Sequence, residues 1–230
     1  MRSMLRALGV LVAVFAVGAA FAPAGNATGE CRGITACIRV PGPWVLVPAH
    51  STVRYLLSCP GGRSVVGGLD SQATSRAVRV EFEGRLGAPV QPGVTTTRNA
   101  LFRAVSTSGR AEAFQPLLGC VPTQGGGGRS TVSARVTPAG PSLEFRSRIL
   151  VVRPGQVSFA KVSCKPGEQL TGSWHATAFR VKKPPNLAAG RLVRVTAAIA
   201  GKQSVVTVSA PDALSIDLHA VVQVGAECAP

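Results

Sequence analysis

The chain has 230 residues, of which 46% are hydrophobic and 15% are charged, and its formal net charge is +15. This length fits one large domain or two small ones. Six cysteines without a Cys-x-x-Cys spacing favour disulfide bonds over metal or redox chemistry.

Residues 1–27 have the organisation of a secretory signal peptide. Arg2 and Arg6 precede an apolar run over residues 8–22, and small residues follow it. The run has about 15 residues, fewer than the roughly 20 that span a bilayer, and no later segment reaches that length. We therefore expect a secreted or extracytoplasmic protein of the cell envelope, with no transmembrane segment in the mature chain. Cleavage would leave a net charge of +13.

Two stretches of the remaining chain resemble each other. The sequence CPGG at residues 59–62 corresponds to CKPG at residues 164–167, and GCVP at residues 119–122 corresponds to ECAP at residues 227–230. In both stretches the two cysteines are separated by nearly the same number of residues. Matched spacing predicts one disulfide in each copy and leaves a local pair near the start. The predicted bonds are Cys31–Cys37, Cys59–Cys120 and Cys164–Cys228.

Short alternating segments dominate both copies, and no long helical periodicity is present. Apolar and polar residues alternate at 78–82, at 143–151 and, most clearly, at 214–224. Clusters of Pro, Gly and Ser separate these segments. The pattern predicts an all-β protein with two tandem antiparallel β-sandwich-like modules.

The predicted modules cover residues 31–122 and 130–230. Four consecutive glycines at 125–128 predict a linker over residues 123–130, because such a run does not favour regular structure. The sequence leaves open whether the two modules pack together as one pseudo-symmetric unit.

The sequence CPGGRSVVGG at residues 59–68 resembles a motif of uncharacterised secreted bacterial proteins that contain small β-rich modules. The second copy departs from this motif at Lys165, Pro166 and Ser173. Arginine outnumbers lysine 20 to 5, a bias typical of GC-rich bacterial genomes. The resemblance implies export and β structure, and it implies no active site.

No convincing catalytic set is present, and no catalytic residue is predicted. Ser215, Asp217 and His219 would share one face of a predicted strand, where neighbouring side chains stand nearly 7 Å apart, too far for a hydrolytic triad. Asp70 and His175 occupy equivalent positions of the two copies, yet they differ in residue type.

Metal, phosphate and sugar sites are also disfavoured, and no cofactor is predicted. Besides His175 and His219, the chain has only His50, and it lacks HExxH and EF-hand motifs. The segment 125–131 lacks the lysine of a phosphate-binding loop. Trp44 and Trp174 could stack on sugars, but core packing is the favoured interpretation.

The basic charge is the feature most suited to binding. Candidate anion-binding residues are Arg146, Arg148, Arg180, Lys182 and Lys183. We expect a non-catalytic binding or structural protein that associates with an anionic envelope polymer or lipid surface. A nucleic acid partner is disfavoured because the chain is exported and lacks interleaved aromatic and basic residues. The alternatives are an extracellular hydrolase with a dispersed active site and an inhibitor or interaction module that presents a loop such as residues 84–94.

Overall fold

The computed structural model describes residues 37–61, 64–83, 98–122 and 143–230. The strands of the first copy are β1 (Ile38–Pro41), β2 (Trp44–Val47), β3 (Thr52–Ser58), β4 (Ser64–Ala73), β5 (Val78–Glu83), β6 (Asn99–Ser106) and β7 (Glu112–Pro122). Those of the second copy are β8 (Glu144–Val151), β9 (Val157–Ser163), β10 (Gln169–Phe179), β11 (Arg194–Ala200), β12 (Gln203–Ser209) and β13 (Ala220–Ala229). Two short 3-10 helices cover Leu187–Leu192 and Ile216–Leu218. The predicted all-β class is confirmed.

Six strands of each copy pair in the same antiparallel order. In the first copy β7 lies between β4 and β2, and β6 lies between β3 and β5. In the second copy β13 lies between β10 and β8, and β12 lies between β9 and β11. Each copy is thus a two-sheet sandwich, as the repeated sequence predicted, and β1 adds to the edge of β7 beside β2.

Two of the predicted disulfides are present. The bonds Cys59–Cys120 and Cys164–Cys228 join cysteines that are 61 and 64 residues apart. Cys59 follows β3 and is bonded to β7, and Cys164 follows β9 and is bonded to β13, so each bond ties the two sheets of one sandwich together. Closing a loop of this size stabilises a fold by about 4 kcal/mol in the chain-entropy model. The third predicted bond includes Cys31, which lies outside the described residues, as do residues 1–27 and the predicted linker.

Each sandwich encloses an apolar core. The first core includes the buried side chains Val47, Tyr55, Phe102, Phe114 and Leu118. The second includes Ala160, Phe179, Val206, Leu214 and Val222. Residues Ala176, Ala178 and Val221 of the second copy also pack into the first core, so the two cores are not separated by solvent.

The two copies share one sheet. Strands β2 and β10 pair at Trp44–Phe179 and Val45–Ala178, which gives the order β4-β7-β2-β10-β13-β8 across the chain. A buried side chain reinforces this junction. The Leu56 N–H donates to Gln223 Oε1 at 2.7 Å, and Gln223 Nε2 donates to the Leu56 carbonyl at 2.8 Å. The Gln223 amide therefore satisfies the edge of β3 as a neighbouring strand would.

The prediction of one strand over residues 214–224 is wrong in its first half. Strand β13 begins only at Ala220, and a 3-10 turn precedes it. The Ser215 hydroxyl accepts a hydrogen bond from the Asp217 N–H at 3.3 Å, and His219 adopts a left-handed conformation with φ of 43°. Serine at this position caps the turn and so competes with strand pairing. Gln223, which the alternation placed on a solvent face, is buried beneath the other copy.

The segment at 143–151 does form a strand, β8, but its apolar residues are not all buried. Ile149 and Val151 are 40% and 54% exposed. They lie on the side of β8 opposite Leu150, which packs against the second core. No helix within the described residues is long and apolar enough to cross a membrane.

A candidate anion-binding groove between the two copies

A groove of about 700 Å³ lies where the first copy meets the second. Its basic side chains come from Arg39 on β1 and from Arg180 and Lys182, which directly follow β10. Its apolar wall includes Tyr55 and Ile149. With Gln115 and Leu117 of β7, five separate parts of the chain contribute to one concave surface.

Local backbone features place these side chains. Strands β1 and β2 are separated by a kink at Gly42, whose N–H donates to the Pro116 carbonyl at 2.8 Å. A Cβ on Gly42 would come within 2.7 Å of Pro116 Cγ, so only glycine fits this close approach. Arg39, three residues before Gly42, lines the groove. On the opposite side, the Arg180 N–H donates to the His219 carbonyl at 3.3 Å, which anchors the start of the basic loop.

The cations at the second-copy side of the groove are not neutralised by neighbouring acids. Arg180, Lys182 and Lys183 are exposed, and no ion pair involves them within the described residues. Unpaired cations at a concave, partly apolar surface concentrate positive potential there. This part of the groove is therefore suited to an anionic ligand.

Tyr55 supplies a neutral polar group at the groove wall. Its ring is almost fully buried, and burial raises the pKa of the phenol to about 12, although the nearby Arg180 guanidinium lowers it in part. The phenol therefore stays protonated at neutral pH and can donate a hydrogen bond. The described residues that line the groove include no Asp, Glu, His, Ser or Cys.

The other two predicted anion-binding residues lie on β8. Arg146 donates to both carboxylate oxygens of Glu168, at 2.5 and 2.7 Å, and this hydrogen bonding is the main reason that the pKa of Glu168 is lowered. Arg148 is exposed on the same face of β8. Of the predicted anion-binding residues, Arg180 and Lys182 line the groove, and Lys183 is next to Lys182 in sequence. Arg146 instead forms an ion pair with Glu168.

Arg39 is the groove residue that sequence reasoning missed. It lies in β1, two residues before the Pro-Gly-Pro segment at residues 41–43, which has the sequence of a sharp bend. That segment signals a bend, but it does not reveal which residues of the second copy lie opposite.

The residues considered for hydrolysis form no triad. Ser215 caps a turn, and no hydrogen bond joins it to His219 within the described residues. Asp70 and His175 lie on the corresponding strands β4 and β10 of different copies. Trp44 and Trp174 are buried, only 4% and 8% exposed, so neither presents its ring face to a sugar.

One group of side chains has the spacing of a metal site. Cys164, Glu168 and Cys228 place ligand-type atoms within 4.8 Å of one another. The two sulfur atoms are already bonded to each other, and Glu168 holds Arg146. Because a disulfide sulfur is not the thiolate that metals bind, this group is a structural contact.

A further acidic group is buried in the first copy. Glu112 is 3% exposed, and its carboxylate accepts hydrogen bonds from Thr74 Oγ1, Ser108 Oγ and Arg110 Nε at 2.9 to 3.2 Å. Burial opposes its ionisation, but the hydrogen bonds outweigh burial and the pKa of Glu112 is lowered. Its partners fix the turn between β6 and β7, so its role is structural.

Comparison with known protein families and with curated proteins finds no match. The chain matches no known protein family, and no curated protein has a significantly similar sequence. The fold and the groove are therefore the basis for a functional assignment.

Proposed function

We propose that this protein is exported and binds anionic material of the cell envelope, a polymer or a lipid surface, without catalysing a reaction. The observation that carries the proposal is the groove in which the exposed, unpaired cations Arg180 and Lys182 meet Arg39. Several closely placed cations favour a polyanion over a single anionic group, because each contributes about 1 kcal/mol at an anionic surface.

Export has separate support. The sandwiches are each held by a disulfide, and such bonds persist in oxidising compartments. The signal-like organisation of residues 1–27 and the resemblance of residues 59–68 to secreted bacterial modules agree with this location. The net charge of +13 after cleavage would also draw the protein to anionic surfaces before specific contacts form.

The alternatives lack a comparable observation. Hydrolases commonly use Asp, Glu, His, Ser or Cys beside the substrate, and the described lining of the groove includes none of these residue types. For an inhibitor or interaction module, the suggested loop at residues 84–94 lies outside the described residues. Binding by the groove is therefore the function to test first.

The proposal is tested by binding the mature protein to vesicles that contain phosphatidylglycerol and to a soluble polyanion such as dextran sulfate. Binding should weaken steeply between 0.1 and 1 M salt, because the Debye length falls from about 10 Å to about 3 Å. The double variant Arg180→Glu, Lys182→Glu should bind at least about tenfold more weakly, since it replaces two attractions by two repulsions. The pair of probes separates a lipid surface from a polymer.

Lys202→Glu provides a matched control. It makes the same charge change on an exposed lysine that does not line the groove. The double variant changes two cations and Lys202→Glu changes one. If Lys202→Glu lost half as much binding free energy as the double variant, only the total charge of the protein would matter. Binding to neutral phosphatidylcholine vesicles that is insensitive to salt would contradict the proposal, and so would a hydrolytic activity abolished by Ser215→Ala.

A further inference from the structure

The groove between the two copies has an apolar wall as well as cations. Its lining includes the apolar side chains Pro41, Leu57, Leu117, Ile149 and Val181. Ile149 is exposed there, so it presents apolar surface to whatever occupies the groove. A concave surface of about 700 Å³ with apolar walls and a few polar groups is typical of a small-molecule site. A purely polar polyanion would leave this wall without a contact.

One polar group of the wall has no partner in the protein. Tyr55 is 1% exposed, and within the described residues no hydrogen bond involves its hydroxyl. The buried polar atoms that lack a partner in the described part of the chain are Trp44 Nε1 and Trp174 Nε1, so the Tyr55 hydroxyl reaches the surface of the groove. Hydroxyl groups of buried residues nearly always have a partner. The Tyr55 hydroxyl therefore marks a place where an acceptor atom of a ligand fits.

Two cations accompany this hydroxyl. Arg180 lies close enough to Tyr55 for its charge to act on the phenol, and Lys182 follows two residues later in the groove lining. The guanidinium and the ammonium are donors only, and the protonated phenol can donate as well. A phosphate monoester offers three acceptor oxygens and a charge of about −1.5 to −2 near pH 7, so it can serve all three donors.

We propose that the groove binds a phosphate-bearing amphiphile. The phosphate is held by Arg180, Lys182 and the Tyr55 hydroxyl, and the apolar body of the ligand lies against Leu57 and Ile149. This inference rests on the function proposed above, because it uses the same groove, and it names the class of ligand. A lipid of a bilayer and a free amphiphile share this chemistry.

The test compares two soluble probes by isothermal titration calorimetry on the mature, oxidised protein. Dihexanoyl phosphatidic acid, below its critical micelle concentration, has a phosphate and an apolar body, whereas glycerol 3-phosphate has the phosphate alone. The first should bind at least about tenfold more tightly, because its acyl chains bury apolar surface. Equal affinities would overturn this inference, and they would leave the proposed binding of polyanions intact.

Tyr55→Phe isolates the hydroxyl. It should weaken the binding of dihexanoyl phosphatidic acid about tenfold, because a hydrogen bond to a charged group is lost. Urea unfolding should show no loss of stability, since the hydroxyl has no partner in the protein. A variant that unfolds more easily but binds the probe like the wild type would give the hydroxyl a structural role and would overturn its role in binding.

Ile149→Ser tests the apolar wall, and Val151→Ser is its matched control. Both residues are exposed on the same face of β8, but only Ile149 lines the groove. Ile149→Ser should weaken the binding of dihexanoyl phosphatidic acid about fivefold, and Val151→Ser should leave it unchanged. Neither variant should alter the binding of dextran sulfate, because neither changes a charge. Equal effects of the two variants on the lipid probe would contradict an apolar wall at Ile149.

The double variant Arg180→Glu, Lys182→Glu separates this inference from the proposed function. It should lose both dextran sulfate and dihexanoyl phosphatidic acid. Loss of dextran sulfate alone would overturn this inference only, whereas wild-type binding of both probes would contradict the proposed function as well. Dihexanoyl phosphatidic acid that releases the protein from phosphatidylglycerol vesicles would identify a bilayer lipid as the ligand, and failure to release it would identify a free amphiphile.

Discussion

The two copies have the same strand pairing but fill their cores differently. At three equivalent core positions the first copy has Tyr55, Phe102 and Phe114, whereas the second has Ala160, Val206 and Val222. The first two of these positions also correspond by strand pairing, since Tyr55 pairs with Phe102 in the first copy and Ala160 pairs with Val206 in the second. The strands of the second copy therefore contribute much less volume to their core.

Connecting segments supply the missing volume in the second copy. The chain between β10 and β11 brings Leu192 and Val193 to the second core, and the turn before β13 brings Leu214 and Leu218. The pairing of strands is thus compatible with two solutions to close packing, one built from aromatic strand residues and one from loops. The repeat preserves topology and disulfide position more strictly than it preserves the core.

Truncation at equivalent core positions should sharpen this comparison most. Phe102→Ala should lower the free energy of unfolding by about 4 kcal/mol, and Val206→Ala by about 2 kcal/mol, because the first removes more buried atoms and leaves a larger cavity. Urea unfolding of both variants measures the difference. Equal losses in the free energy of unfolding would mean that packing of the second core depends on Val206 as strongly as packing of the first core depends on Phe102.

A second comparison concerns two glutamines that lie five residues before the last cysteine of each copy. Gln223→Ala should lower the free energy of unfolding by about 3 kcal/mol, because the buried N–H and carbonyl of Leu56 lose their hydrogen-bond partners. Gln115→Ala should cost about 1 kcal/mol, since half-buried Gln115 makes one bond to the Gly42 carbonyl. Thermal unfolding gives both values. Similar values would show that the Gln223 amide does not hold the copies together.

The smallest expected effect concerns Glu112, whose counterpart in the second copy is Ala220. Because the folded-state pKa of Glu112 is lowered, its ionised form stabilises the fold above the unfolded-state pKa near 4.5, and this stability is lost as the pH falls below it. Glu112→Gln should lower the free energy of unfolding by about 1 kcal/mol at neutral pH, and it should make that free energy fall less as the pH is lowered. Urea unfolding at a series of pH values is the measurement.

Glu81→Gln is the matched control for this prediction, since it removes a half-buried carboxylate of the same copy that pairs with Arg79 and Arg103. An acid dependence that Glu112→Gln leaves unchanged would assign the pH effect to other carboxylates.

The sequence predicted those features that depend on local alternation and on repetition. Strand β5, with Val78 buried and Arg79 exposed, follows directly from its pattern, and so do the two disulfides from their spacing. The turn at Ser215 was missed because the hydroxyl cap competes with an alternating pattern that a strand would also produce.

The groove and the buried amide could not be predicted from local patterns. Gln223 alternates like a solvent-facing residue, and it is buried only because β3 of the other copy covers it. Arg39 and Arg180 are far apart in sequence and meet only after the two copies share a sheet. Sites formed between repeats depend on how the repeats dock, which a single repeat does not encode.

The placement of the two disulfides also determines how the chain responds to mechanical tension. Each bond lets a pulling force bypass the segment that it encloses, so the chain between cysteines 61 and 64 positions apart cannot be drawn out as extended chain. At about 3.4 Å for each residue, this shortens the attainable contour by roughly 400 Å in total. An oxidised molecule attached at both ends would therefore act as a short tether, and reduction would convert it into a long one.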